Sequence, residues 1–159
     1  MIDNIDKPAL SALWPNKKGM SVVLDLGANI ECSSKNLLDF SVMGASLYTS
    51  LYPKEKPNVA LLNIGSEELK GNEIIKETFK ILNEKNSNNY NFSGYIEGNH
   101  LMDGDVNVIV SDGFTGNVAL KTAEGTANFI TSELKKALSG NVIGKISSLL
   151  NISNLKKFK

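Results

Sequence analysis

The residues whose types and spacing could do chemistry cluster between Val106 and Glu124. Asp112, Gly113, Gly116 and Asn117 fall within six positions, and Lys121 follows one helical turn later. Glycines at a helix start expose backbone N–H groups, and the helix dipole adds partial positive charge at the same end. With one ammonium nearby, the chemistry would be the holding of an anion such as phosphate. The same glycines also suit an ordinary turn that needs positive φ, so the junction alone leaves both readings open. Two elements must position these residues. Val106, Val108, Ile109 and Val110 make a β-branched run that predicts a strand buried on both faces. Val118, Leu120, Ala123, Ala127, Ile130 and Leu134 then recur at three and four, which predicts a helix.

Related junctions lie upstream. A strand over Val22–Leu26 ends in Asp25-Leu26-Gly27-Ala28-Asn29, where Asn29 could face a ligand or bond its own backbone. A strand over Val59–Ile64 leads through Asn63 and Gly65 to Lys70, Gly71 and Asn72, which open a helix reaching about Asn83. Glu67, Glu68 and Glu73 suit that helix start electrostatically. Between these two strands, Ser33 or Ser34 caps a helix over Lys35–Tyr52. Its scarcity of charge predicts packing on both sides, against the sheet and a partner subunit. Pro8–Trp14 reads as a short apolar helical turn ended by Pro15, followed by the basic turn Asn16–Gly19. Phe92–Ile96 is the third strand and precedes Glu97-Gly98-Asn99-His100. Strands alternating with helices predict an α/β fold, a mostly parallel sheet covered on both faces. Three polar-glycine junctions would then share the rim formed by the strands' carboxyl ends.

Composition narrows the function class. The chain has 159 residues and formal net charge +0, so no global field points to nucleic acid. All 17 basic residues are lysines, leaving amides, hydroxyls and lysine to bind anions without guanidinium forks. One cysteine, Cys32, excludes an internal disulfide and a cysteine-based zinc site and reads as a structural thiol. The single His100 reads as a surface residue. No junction matches a P-loop or a full Gly-x-Gly-x-x-Gly, which disfavours ordinary nucleotide binding. Met1–Asp6 holds two aspartates and no basic residue, unlike a secretory signal, so a cytoplasmic protein is expected.

Four blocks together resemble a known family. They are Val23-Leu24-Asp25-Leu26-Gly27-Ala28-Asn29, Val42-Met43-Gly44, Leu61-Leu62-Asn63-Ile64-Gly65 with Lys70-Gly71-Asn72-Glu73, and Ser111-Asp112-Gly113-Phe114-Thr115-Gly116-Asn117 with Leu120-Lys121-Thr122. In order and spacing they are similar to the bacterial phosphate acyltransferases of the PlsX family, over about residues 3–138. The resemblance implies a three-layer α/β/α domain like those of isopropylmalate dehydrogenases and phosphate acetyltransferases. It also implies conversion of acyl-(acyl carrier protein) and inorganic phosphate to acyl phosphate for phospholipid synthesis, usually in a homodimer and with no metal or other cofactor. On this basis Lys121, Asn117 and Asp112 are the expected catalytic residues. Asp25, Gly27, Asn29, Asn63, Gly65, Lys70, Asn72, Gly113 and Gly116 are the expected phosphate- or substrate-binding residues.

The departures carry their own expectations. The family's N-terminal half and C-terminal sheet segments have no counterpart here, so residues 1–138 resemble a partial domain, completed by another polypeptide or left as a remnant. Where the family commonly has arginine and an acid after Glu97-Gly98, this chain has Asn99 and His100. Residues 139–159 carry four lysines and no acid, with Val142, Ile143, Ile146, Leu149, Leu150 and Leu155 on one helical face. Such a tail either lies on anionic membrane or packs on the absent part of the domain. Three functions stay in view: the complemented acyltransferase, a non-catalytic subunit that binds acyl carrier protein or a sister chain, and a phosphate acetyltransferase-type enzyme.

Overall fold

A computed structural model describes residues 5–85 and 87–139; the basic tail expected over residues 139–159 lies outside them except for Ser139. The chain divides into two compact units, Met1–Ala119 and Leu120–Lys159. The first holds a five-stranded sheet built from β1 (Ser11–Asn16), β2 (Gly19–Leu24), β3 (Asn58–Asn63), β4 (Asn91–Glu97) and β5 (Val108–Val110). The spatial order is β1-β2-β5-β3-β4. β2, β5, β3 and β4 run parallel, and β1 alone is antiparallel, paired with β2.

The hydrophobic pattern dictates this arrangement. Every residue of β5 is fully buried, as expected of a central parallel strand. Val22, Leu24, Val59, Leu61, Val108 and Val110 join Leu37, Phe40 and Tyr48 in one core. Their neighbours Val23, Ala60 and Ile109, which alternation turns to the other face, are buried too. Helix α1 (Ser34–Leu51) packs on β2 and β5 and against α2 (Glu73–Glu84). Gly44 permits the approach of α1: a Cβ there would collide with Val108 and lie 2.8 Å from Leu24. The outward side of α1 leaves Val42, Leu47 and Leu51 exposed, so within this unit the helix is covered on one side only.

One sequence expectation is corrected. Residues 8–14 do not form a helical turn; Ser11–Asn16 is the edge strand β1, and Asn16 to Gly19 closes a hairpin onto β2. Pro15 had suggested a helix stop, but an edge strand also tolerates a residue without an N–H. Trp14 turns inward and is buried. The helix α3 (Gly113–Ser139) begins five residues before Val118, the first of its periodic apolar positions. No helix among the described residues is long and apolar enough to cross a membrane.

Candidate functional site

β2, β5 and β3 all end on the same rim, and each is followed by a helix. Each helix is capped by a polar side chain that takes the amide three positions on. Ser33 Oγ accepts from Asn36 N at 3.3 Å in α1. Asn72 Oδ1 accepts from Ile75 N at 2.9 Å in α2, and Asp112 Oδ1 from Thr115 N at 2.8 Å in α3. Such caps leave the first two amides of a helix free for another acceptor. Gly113 is the exception, since its N–H donates to Asn29 O at 2.8 Å.

The three helix starts surround one cleft of about 970 Å³. Ser33 and Asn36 line it from α1, Asn72 and Ile75 from α2, and Asp112 and Thr115 from α3. Lys7, whose Nζ donates to Glu31 O at 3.1 Å, also faces it, as do Asp6, Glu31, Ile30 and Phe114. A second cleft of about 680 Å³ shares Asn72, Ile75, Asp112 and Thr115 and extends toward Asn63 and Gly98. Three positive dipole ends meet at this space and, with Lys7, stand against the carboxylates of Asp6, Glu31 and Asp112 on the same lining.

The sequence-selected residues divide by task. Asn72 and Asp112 line both clefts, and Asn63 the second. Asp25 is fully buried, and its carboxylate accepts from the amides of Leu10, Gly27 and Ala28 on Oδ1 and of Asn29 on Oδ2. Asn29 Nδ2 adds a 2.7 Å bond to Oδ2 and also donates to Pro8 O. Burial alone would raise the Asp25 pKa, but these donors outweigh it and hold the carboxylate below its usual range. Asp25 thus braces the loop that backs the site. Gly116 and Gly113 seat α3 against that loop: a Cβ on Gly116 would overlap Asp25 O, and one on Gly113 would come within 2.5 Å of Asn29 O. Gly27, at φ +131, faces the Asn117 side chain.

On the β3 side, Asn63 Nδ2 donates to Gly65 O and Lys70 O, both at 3.1 Å, and locks the loop before α2. Gly65 is buried, whereas Lys70 is exposed. Lys121 belongs to the second unit, where its Nζ meets Glu124 Oε2 at 2.8 Å. Cys32 and His100 form no pair. The thiol lies 3.7 Å from Asn29 O with its pKa raised by burial, and His100 Nδ1 lies 2.7 Å from Asp103 Oδ2.

The family described as "Fatty acid synthesis protein" matches residues 1–159, the whole chain. The chain belongs to that family. It is 79% identical over its full length to a phosphate acyltransferase of Pelagibacter ubique, covering 48% of that protein. It is 47% identical over 146 residues to one of Rhizobium leguminosarum bv. trifolii and 41% identical over 160 residues to one of Maricaulis maris, covering 42% and 45% of them. The chain therefore spans about half the length of these curated relatives, and the motif resemblance to phosphate acyltransferases holds. Among solved structures, the EutD phosphotransacetylase from Staphylococcus aureus superposes on 79% of this family member with a TM-score of 0.62 at 17% identity, covering 44% of its own chain. That likeness establishes a shared α/β fold.

Sequence reasoning passed over Lys7, Asn36, Phe114 and Thr115, which the fold brings to the first cleft. The Ser33-x-x-Asn36 spacing was a readable signal, since the two side chains form a reciprocal capping box.

Proposed function

We propose that this chain provides the phosphate-holding half of a phosphate acyltransferase that converts acyl-(acyl carrier protein) and inorganic phosphate to acyl phosphate in phospholipid synthesis. The observation that carries the reading is the single cleft walled by the N-termini of α1, α2 and α3. Phosphate held there by amides presents an oxygen to the thioester carbonyl. A C–O bond forms, the C–S bond breaks, and the proton of hydrogen phosphate passes to the departing thiolate. The chain's contribution is positioning and charge stabilisation, which together remove a large share of such a barrier without a protein nucleophile.

Asp112 and Asn72 line the cleft directly; Asp25, Gly27, Asn29, Gly113 and Gly116 hold the α3 start in place; Asn63, Gly65 and Lys70 hold the α2 start. Asn117 and Lys121 keep the phosphate-binding role that the family motif suggests. Homodimer formation or completion by a second polypeptide, cytoplasmic location and membrane contact through residues 139–159 belong to the same proposal. The test is acyl phosphate formation by the chain alone and mixed with a polypeptide carrying the remaining half of the Pelagibacter relative. Formation in the mixture, lost in K121A and N117A, is expected. Undiminished formation in both variants would reject those roles, and none in the wild-type mixture would favour the non-catalytic, carrier-binding alternative.

A further inference from the structure

Asn36 stands apart from the other residues at the cleft. Its side chain is buried to 2% exposure, yet it lines the cleft where the three helices begin. Oδ1 accepts from Ser33 N at 2.9 Å and Ser33 Oγ at 3.0 Å. Because a backbone N–H can only donate, the first of these bonds fixes which end of the amide is oxygen. Nδ2 is the other end, and it has no hydrogen-bond partner among the described residues. Buried donors are almost always paired, and one without a partner calls for an explanation.

We infer that Asn36 Nδ2 is a donor to bound phosphate, so that the start of α1 joins those of α2 and α3 in gripping the anion. The inference rests on the phosphate acyltransferase reading and adds to it a binding residue outside the motif blocks. The fit is chemical. Nδ2 offers donors only, the neighbouring α1 amides Ser34 and Lys35 offer more, and a phosphate oxygen accepts from several at once. The capping box holds the amide in this orientation before any ligand arrives, which lowers the cost of binding.

N36D isolates the donor. It keeps the oxygen that Ser33 needs and a negative charge is tolerated in a helix's first turn, but it sets a carboxylate oxygen where Nδ2 stood. N36L keeps the volume and removes the polarity. The measurement is the rise in Tm of the chain with added inorganic phosphate, against chloride at matched ionic strength. The wild type should show a saturable rise, absent in N36D and N36L although both melt cooperatively without phosphate. In the complemented mixture, N36D should raise the KM for phosphate about tenfold and leave that for the acyl donor unchanged. A full phosphate response in either variant, or none in the wild type, overturns the inference. A response lost in the variants, beside no acyl phosphate from the wild-type mixture, would uphold the anion site and sink the acyltransferase reading instead.

Discussion

Asp25 shows how a single buried carboxylate organises the loop behind the candidate site. Four backbone amides and one side-chain amide converge on its two oxygens, at 2.7–3.1 Å. Charge-assisted bonds of this kind are worth about 1.5–3 kcal/mol each before competing losses, and leaving the donors unpaired is the larger cost. D25A should therefore lose about 3 kcal/mol of stability in urea titrations. The pH dependence follows in sign. The folded pKa lies below the unfolded value, so the stabilisation is complete above the unfolded pKa, near 4, and fades as pH falls through the folded one. Acid titrations of wild type and D25N should show that the variant lacks this limb; an identical acid limb in both would remove Asp25 as the brace. The sequence marked Asp25, Asn29 and Asn63 as polar residues at strand ends. It could not say whether their polar atoms face a ligand or the loop itself, because that depends on which distant amides arrive, such as Leu10 N on Asp25.

At the level of elements, glycines in α3 separate packing from propensity. Gly116 lies against Asp25 O, while a Cβ on Gly125 would meet nothing within 4 Å. Ala favours a helix over Gly by about 1 kcal/mol, but overpacking costs about 1–3 kcal/mol. G125A should thus stabilise by about 0.5–1 kcal/mol and G116A destabilise by about 2 kcal/mol in denaturant titrations. Equal gains in the two variants would show that the α3 start does not rest on the loop. The strands β2, β3 and β5 were readable because buried parallel strands are apolar runs, and the edge strand β4 from Phe92, Tyr95 and Ile96 set between polar turns. β1 was not: Ser-Ala-Leu-Trp-Pro-Asn has neither clean alternation nor a β-branched residue. Its strand form comes from pairing with β2 rather than from local preference.

At the scale of the molecule, the chain spans about half of its relatives' length, and its second unit leaves Phe129 and Ile130 exposed by 66% and 54%. Exposed apolar side chains of that size favour association. The chain alone should sediment as more than a single copy, and F129S/I130S should shift it toward monomer with the fold of the first unit intact by circular dichroism. A monomeric wild type would contradict the proposed dimer. The open α/β class was readable from alternating strands and helices, and ligand placement at strand carboxyl ends follows from that class. The shared rim of the three junctions was readable in the same way, whereas the strand order β2-β5-β3 that sets their neighbours was not, because it is a property of the assembled sheet.

Amide NMR of the isolated chain during titration with inorganic phosphate tests the three-helix cleft most directly. Saturable shifts are expected at Ser34 and Lys35 of α1, Glu73 and Ile74 of α2 and Phe114 of α3, together with the Asn36 side-chain amide. Shifts confined to exposed lysine segments, or shifts that never saturate, would contradict a phosphate site at this rim.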